Sequence, residues 1–206
     1  MEDSLNSTNI TENSPKFNEI NEKEKIKKEY IEYISEENLK IISSIAINLE
    51  EIINDNYFNY RNLIIQQDIF FTNFLPCISI ENYLKRLFYY TKIDISTLIL
   101  AIVYIDNFCE LNGYILTLNN IYRIIMTSCL LSIKFNEDII FGNSYYAKVG
   151  NYSVELLNAL EYEFYVKLNC QLLVNDDYYK KYYNYLSKNW LLNIWLIYLY
   201  VNKFVS

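Results

Sequence analysis

Residues that break regular structure are scarce in this chain. Only 3 glycines and 2 prolines occur among its 206 residues, and these two residue types interrupt helices and form the turns between strands. A sandwich or barrel of many strands needs such turns at short, regular intervals. The scarcity therefore predicts long helices.

The absence of histidine removes much of enzyme chemistry. Without it there is no Ser-His-Asp triad, no Cys-His pair and no histidine-ligated zinc site. The three glycines, Gly113, Gly142 and Gly150, cannot form a G-x-G-x-x-G turn or a G-x-x-x-x-G-K phosphate loop. An enzyme would have to work with carboxylates or lysines alone. The composition favours a binding protein that uses no cofactor and no metal.

The net charge of −7 is unevenly distributed. Residues 1–38 contain ten acidic side chains and five lysines, so this extension carries −5 and the remaining chain −2. A nucleic-acid surface would normally show a basic patch, so no nucleic-acid partner is expected. We predict that residues 1–38 form a flexible, polar extension without a catalytic role.

Cysteine usage and the N-terminal sequence indicate where the protein resides. Cys77, Cys109, Cys129 and Cys170 are widely spaced and form no C-x-x-C pair. The N-terminus is acidic and lacks the basic and apolar regions of a signal peptide. These features predict a reducing, intracellular setting in the cytoplasm, the nucleus or both.

Apolar residues recur every three or four positions from about residue 36 onward, whereas the alternation of a strand is nowhere sustained. Ser79 and Ser153 are predicted N-caps, and Gly113 a helix stop. Long loops are expected at residues 56–78 and 136–150. The pattern predicts an all-α bundle, with helices over about 36–55, 80–91, 96–112, 118–135, 153–168, 176–187 and 190–204.

The last apolar stretch, within residues 188–206, has two interpretations. It could cross a membrane, but Asn193 interrupts it and it is shorter than the roughly twenty residues that a span requires. We therefore expect a helix packed on the bundle and no membrane partner. The predicted domains are residues 1–38, the helical domain 39–187 with its leading helix, and the C-terminal helix 188–206.

Several motifs resemble the P-type (phosphate-regulation, or U-type) cyclins in order and spacing. The resemblance covers roughly residues 39–187 without large gaps, and its most specific part is the stretch 143–150 followed by 155–161. Asn107 and Asn151 depart from the family pattern, which usually has Arg and Gly there. The matching motifs are Pro76-Cys-Ile-Ser-Ile80, Tyr83-Leu-Lys-Arg86, Ala101-Ile-Val-Tyr-Ile-Asp106, Leu118-Asn119, Arg123-Ile-Ile-Met-Thr-Ser128, Lys134-Phe135, Asn143-Ser-Tyr-Tyr-Ala-Lys-Val-Gly150, Glu155-Leu-Leu-Asn-Ala-Leu-Glu161 and Phe164.

The resemblance implies one cyclin box, a five-helix bundle built around a central helix. It also implies a regulatory subunit that binds and activates a cyclin-dependent kinase as a heterodimer. An alternative is a cyclin-fold transcriptional or scaffold adaptor that does not activate a kinase. Lys134 and Glu161 match the charged pair that grips the kinase's regulatory helix in cyclins. Their other interpretation is a mutual surface salt bridge, worth less than about 1 kcal/mol.

Three further features carry weaker predictions. Asp138 is a candidate for contacting basic residues of the kinase, with capping of its own loop as the alternative. Asp106 is expected to be structural, pairing inside the bundle or capping a turn. The aromatic residues between Phe70 and Phe74 either cover the first helix of the box or extend the kinase interface.

Removal of residues 1–35 should leave the melting temperature nearly unchanged, because this segment offers little apolar surface to bury. Removal of residues 1–55 should lower it strongly, because the isoleucine face of the leading helix then loses its contacts. Thermal unfolding of the two truncated proteins tests both expectations. An equal loss of stability in the two would show that the domain boundary is misplaced.

Overall fold

Helices account for all the regular structure in residues 35–60 and 68–188, the ranges that the computed structural model describes. The predicted helix over 190–204 and the extension before residue 35 lie outside the described residues. No strand occurs within those ranges, which confirms the all-α prediction. The helices are α1 (Glu36–Tyr60), α2 (Ile80–Thr91), α3 (Ile95–Asn112), α4 (Ile121–Asn136), α5 (Asn143–Gly150), α6 (Val154–Lys167) and α7 (Asp176–Lys188).

The centre of the bundle is α4, in which twelve of sixteen residues are buried. Its small polar side chains satisfy their hydrogen bonds on backbone carbonyls, so that they need no water. The Ser128 hydroxyl donates to the carbonyl of Ala101 on α3, and Thr127 donates to the carbonyl of Arg123 at 2.7 Å. Small side chains at this contact let α3 and α4 approach closely.

The apolar sequence of α3 has a structural explanation. Among the residues described, α3 is the one helix that is long and apolar enough to cross a membrane. Half of its eighteen residues are nevertheless buried inside the bundle, mainly against α4. Such a sequence is what a core helix needs, because it is covered on most sides by other helices.

Three of the predicted helix boundaries are confirmed by their caps. The Ser79 hydroxyl accepts the backbone N–H of Asn82 at 3.2 Å, and the Ser153 hydroxyl accepts that of Leu156 at 3.1 Å. Gly113 ends α3 with φ of 56°, a left-handed conformation that costs glycine least. These caps fix where α2 and α6 begin and where α3 ends.

The leading helix α1 is five residues longer than the predicted helix over 36–55. Its buried face contains Ile41, Ile42, Ile45, Leu49 and Ile53, which is close to the predicted stripe. Beyond that stripe the helix continues with exposed side chains to Tyr60, and the Asn56 amide donates to the carbonyl of Leu116 at 3.0 Å. A tertiary hydrogen bond therefore extends the helix beyond the end of its apolar pattern.

The predicted loop over 136–150 is wrong in its second half, which forms α5. Asn, Ser and Gly in this stretch are typical of turns, but Tyr146 and Ala147 are buried and hold the helix on the bundle. Gly150 is needed for packing, since a Cβ there would lie 2.8 Å from the Tyr152 ring and 2.9 Å from the Met126 sulfur. Asn151 follows with φ of 63°, a conformation that explains why glycine is usual at this position in the family.

The aromatic run at 70–74 divides between core and surface. Phe70 is fully buried between α3 and α6, where its ring meets those of Phe108 and Phe164 edge-on at 5.3 and 6.0 Å. The Arg123 guanidinium holds the flanking backbone by donating to the carbonyls of Ile69 and Phe71. Phe70 therefore covers neither the first helix of the box nor a partner, whereas Phe74 is 89% exposed.

The last described helix is attached to the bundle by tyrosine hydroxyls. Tyr182 on α7 donates to Asp106 on α3 at 2.6 Å, and Tyr185 donates to Asn48 on α1 at 2.8 Å. Asp106 therefore has the structural role predicted for it. Burial raises the pKa of the Asp106 carboxyl to about 6, although the Tyr182 hydroxyl partly offsets this.

Asp106→Asn should gain stability relative to the wild type as the pH rises from about 4 to about 6, and the gain should then stay constant. The reason is that an acid whose pKa is raised on folding stabilises the fold only while protonated, so the wild type loses stability over this range. Asparagine keeps an acceptor for Tyr182 but carries no charge. Melting temperatures between pH 4 and 8 measure the difference.

The exposed substitution Asp55→Asn on α1 is the matched control for this pH series. Its difference from the wild type should not follow the same curve. If the difference in melting temperature between Asp106→Asn and the wild type did not change with pH, the Asp106 carboxyl would titrate in the folded protein as it does in the unfolded chain.

Candidate functional site

Lys134 and Glu161 form an ion pair between two helices. Lys134 lies in the last turn of α4, where the carbonyl end of a helix favours a cation, and Glu161 lies in the middle of α6. The Lys134 ammonium lies 2.6 Å from one carboxylate oxygen of Glu161 and 2.9 Å from the other. The mutual salt bridge that the sequence offered as an alternative is thus present in the unbound chain.

A third helix contributes to the same cluster. Asn143, the first residue of α5, donates its side-chain amide to the second Glu161 oxygen at 2.8 Å. The same amide nitrogen donates to the side-chain carbonyl of Asn158 on α6 at 2.6 Å. Lys134, Glu161, Asn143 and Asn158 therefore form one hydrogen-bonded group, here called the charged cluster, on three helices.

The charged cluster lies at the edge of the core. Leu157, Leu160 and Phe164 form the buried face of α6, so the backbone that carries Glu161 is fixed by packing. The side chains of Lys134 and Glu161 remain 31% and 18% exposed. The charges are thus held in place by a rigid scaffold while still reachable from outside.

Asp138, the third candidate, does not join the charged cluster. It is exposed in the segment between α4 and α5, and its side chain has no hydrogen bond or ion pair with a described residue. The neighbouring Glu137 accepts the backbone N–H of Asp94 at 3.0 Å, just before α3. Asp138 is left accessible.

Large apolar side chains close in sequence to residues of the charged cluster are exposed. Phe135 and Tyr162 follow Lys134 and Glu161 directly in sequence, and they are 48% and 70% exposed. Exposed apolar side chains gathered on one side of a domain mark an interaction surface. We call this set the apolar rim: Phe135, Ile139, Ile140, Phe141, Tyr145 and Tyr162.

Part of the apolar rim is held in a defined shape. The Phe141 ring lies 4.6 Å from that of Tyr145, and the Phe141 backbone N–H donates to the buried Tyr146 hydroxyl at 3.1 Å. Ile139 and Ile140, in contrast, are 79% and 51% exposed. They offer apolar surface that a partner could cover.

Sequence reasoning missed the two asparagines of the charged cluster and the apolar rim. Asn143 lies in a stretch predicted as a loop, so no helix was available to orient it. Asn158 stands four residues after Val154 in α6 among exposed residues, where asparagine carries no signal of its own. The run Ile139-Ile140-Phe141 inside a polar loop was the one visible indication of the rim.

The described residues 35–60 and 68–188 contain no group of three or more Cys, Asp or Glu side chains placed to hold a metal ion. What they do contain is an all-helical domain with an ion pair between two helices and exposed large apolar side chains close to it in sequence. This combination is typical of a domain that binds another protein.

The cyclin family model matches residues 6–172, so the chain belongs to the cyclin family. It is 39% identical over 115 residues to Cyclin-U2-2 of Arabidopsis thaliana, which is 55% of this chain and 50% of the relative. It is 30% identical over 120 residues to Cyclin-P3-1 of Oryza sativa subsp. japonica, 58% of this chain and 51% of the relative. The resemblance to U-type and P-type cyclins is thereby confirmed.

The chain spans about half the length of the relatives that it matches. Cyclins as a family are regulatory, non-catalytic proteins. Family membership therefore agrees with the composition, which disfavoured an enzyme.

Proposed function

We propose that this chain is a regulatory subunit that binds and activates a cyclin-dependent kinase. The observation that carries the proposal is the charged cluster, with the exposed side chains of the apolar rim close to it in sequence. The cyclin family implies a cyclin-dependent kinase as partner in general, and the U-type and P-type relatives bear the cyclin name. The partner kinase would be bound as a heterodimer.

The geometry of the charged cluster suits a partner helix. A helix presents unpaired N–H groups at one end and carbonyls at the other. Glu161 supplies an acceptor and Lys134 a donor, held 2.6 Å apart on separate helices, so both kinds of group could be satisfied at neighbouring positions. Charge-assisted hydrogen bonds of this kind are stronger than those between neutral groups.

The apolar rim supplies the apolar surface that a stable interface buries and that the charges alone do not provide. Stable interfaces bury an apolar centre, and charged pairs mainly set register and specificity. Phe135 and Tyr162 directly follow Lys134 and Glu161 in sequence, and Ile139 is 79% exposed, so a partner that covered these side chains would remove apolar surface from water. Asp138, accessible in the same segment, is proposed to contact basic residues of the kinase.

An intracellular location, in the cytoplasm, the nucleus or both, is part of the proposal. All four cysteines are free, with Cys77 and Cys170 exposed. Exposed free thiols are compatible with a reducing compartment. Burial raises the pKa of the Cys129 thiol to about 12, so this cysteine serves as a small core residue.

The decisive experiment measures two properties against a panel of purified cyclin-dependent kinases. One is binding, followed by the association and dissociation rates, and the other is phosphate transfer by the kinase to a peptide. An increase in both supports the proposal. Binding without activation would favour the adaptor, and no binding to any kinase of the panel would overturn the proposal.

Lys134→Ala and Glu161→Ala should each weaken kinase binding by about 2–5 kcal/mol, seen mainly as faster dissociation. The loss is large because an interface would bury the remaining charge without its partner. The free energy of unfolding of the isolated chain should change by less than about 1 kcal/mol, because the pair is partly exposed in the unbound protein. Binding kinetics and chemical denaturation measure the two quantities.

Lys85→Ala is the matched control, because Lys85 and Glu81 form an ion pair of the same 2.6 Å length within α2. It should leave kinase binding unchanged. The double reversal Lys134→Glu with Glu161→Lys could keep an internal salt bridge but presents the wrong signs to a partner. Should the double reversal bind and activate as well as the wild type, Lys134 and Glu161 do not contact the kinase.

A further inference from the structure

The Glu161 carboxylate receives hydrogen bonds from two sides. Lys134 donates to both of its oxygens, and Asn143 donates to one of them at 2.8 Å. The two donors come from different helices, α4 and α5. The carboxylate is therefore restrained by more than its ion pair.

An ion pair alone would not hold Glu161 in one conformation. Glutamate and lysine are both long, flexible side chains, and fixing such a pair near the surface costs conformational entropy that offsets much of its attraction. Asparagine has a shorter side chain, and an amide nitrogen has two hydrogens to donate. In Asn143 these serve the Glu161 carboxylate and the Asn158 carbonyl at 2.8 and 2.6 Å.

Asn143 is itself well anchored. It is the first residue of α5, and four residues of this short helix are buried: Tyr146, Ala147, Val149 and Gly150. The helix packs against α2 and α6, and at its other end a Cβ on Gly150 would lie 2.9 Å from the Met126 sulfur. The position of Asn143 relative to Glu161 is thus set by packing along the whole of α5.

The position of the Lys134 ammonium depends on the fixed Glu161 carboxylate. Its ammonium has three N–H donors, and Glu161 is its one hydrogen-bonding partner among residues 35–60 and 68–188. A lysine that pairs with a fixed carboxylate keeps its remaining donor capacity in a defined place for a partner. If the carboxylate were free to rotate, the ammonium would move with it.

We propose that Asn143 is a positioning residue for the kinase contact, acting through Glu161 and not by touching the kinase. This inference rests on the proposed function, because it assigns a role within the same site. In this role, α5 holds the Glu161 carboxylate in the conformation that the kinase binds.

The test is a double-mutant cycle read out as dissociation rates from the kinase bound most tightly by the wild type. Asn143→Ala should speed dissociation about tenfold, the effect of losing one hydrogen bond to a charged group. In the Glu161→Ala background the same change should have less than a twofold effect, because residues that act through one another are not additive. Asn143→Asp, which places a second negative charge beside Glu161, should speed dissociation further.

Asn82→Ala is the matched control, since Asn82 is an exposed asparagine in the first turn of α2. The melting temperatures of this control and of Asn143→Ala should agree within about two degrees, so that the difference in dissociation cannot come from loss of fold. A melting temperature of Asn143→Ala far below that of the control, with unchanged dissociation, would make Asn143 a purely structural residue.

The outcomes separate this inference from the proposed function. If the wild type binds a kinase and Asn143→Ala dissociates no faster than Asn82→Ala, the positioning role is wrong while the proposed function stands. If Asn143→Ala has the same effect with and without Glu161, Asn143 acts independently and the positioning role is again wrong. If the wild type binds no kinase of the panel, the proposed function is wrong and the inference falls with it.

Discussion

Burial of α4 is the constraint on which the rest of the structure depends. A helix with twelve of sixteen residues buried must place its polar atoms on neighbouring backbone, as Ser128 does on Ala101, and it must have neighbours on nearly every side. α2, α3 and α6 are positioned by this requirement. The site follows from it, because Lys134 lies where α4 emerges from the core, and α6 brings Glu161 to the same edge.

Most of the fold could be predicted from the sequence because long apolar periodicity and side-chain caps are local signals. Ser79, Ser153 and Gly113 mark ends that the structure confirms. The last turn of α1 and all of α5 could not be predicted, because tertiary contacts stabilise them. Asn56 reaches Leu116, and α5 packs against α2, which is distant in sequence, so neither contact is visible in a local pattern.

The residues of the site likewise divide into those that the sequence could identify and those that it could not. Motif resemblance selected Lys134 and Glu161, and the structure brings them together, while their role toward a kinase stays a prediction. Asp138 was selected by its place shortly after Lys134 and by the family resemblance, and in the structure it lies exposed outside the charged cluster. Asn143 could not be identified as a partner of Glu161, because that contact exists only when residues 143–150 are helical.

The tight fit of Gly150 bears on how the chain tolerates changes in length. Each residue of a helix turns the next by about 100°, and a Cβ on Gly150 would lie 2.8 Å from the Tyr152 ring and 2.9 Å from the Met126 sulfur. One residue inserted between Asn143 and Gly150 would rotate the asparagine away from α6 and so separate it from the glycine in register. Insertions and deletions among homologues should therefore be excluded from the helix itself.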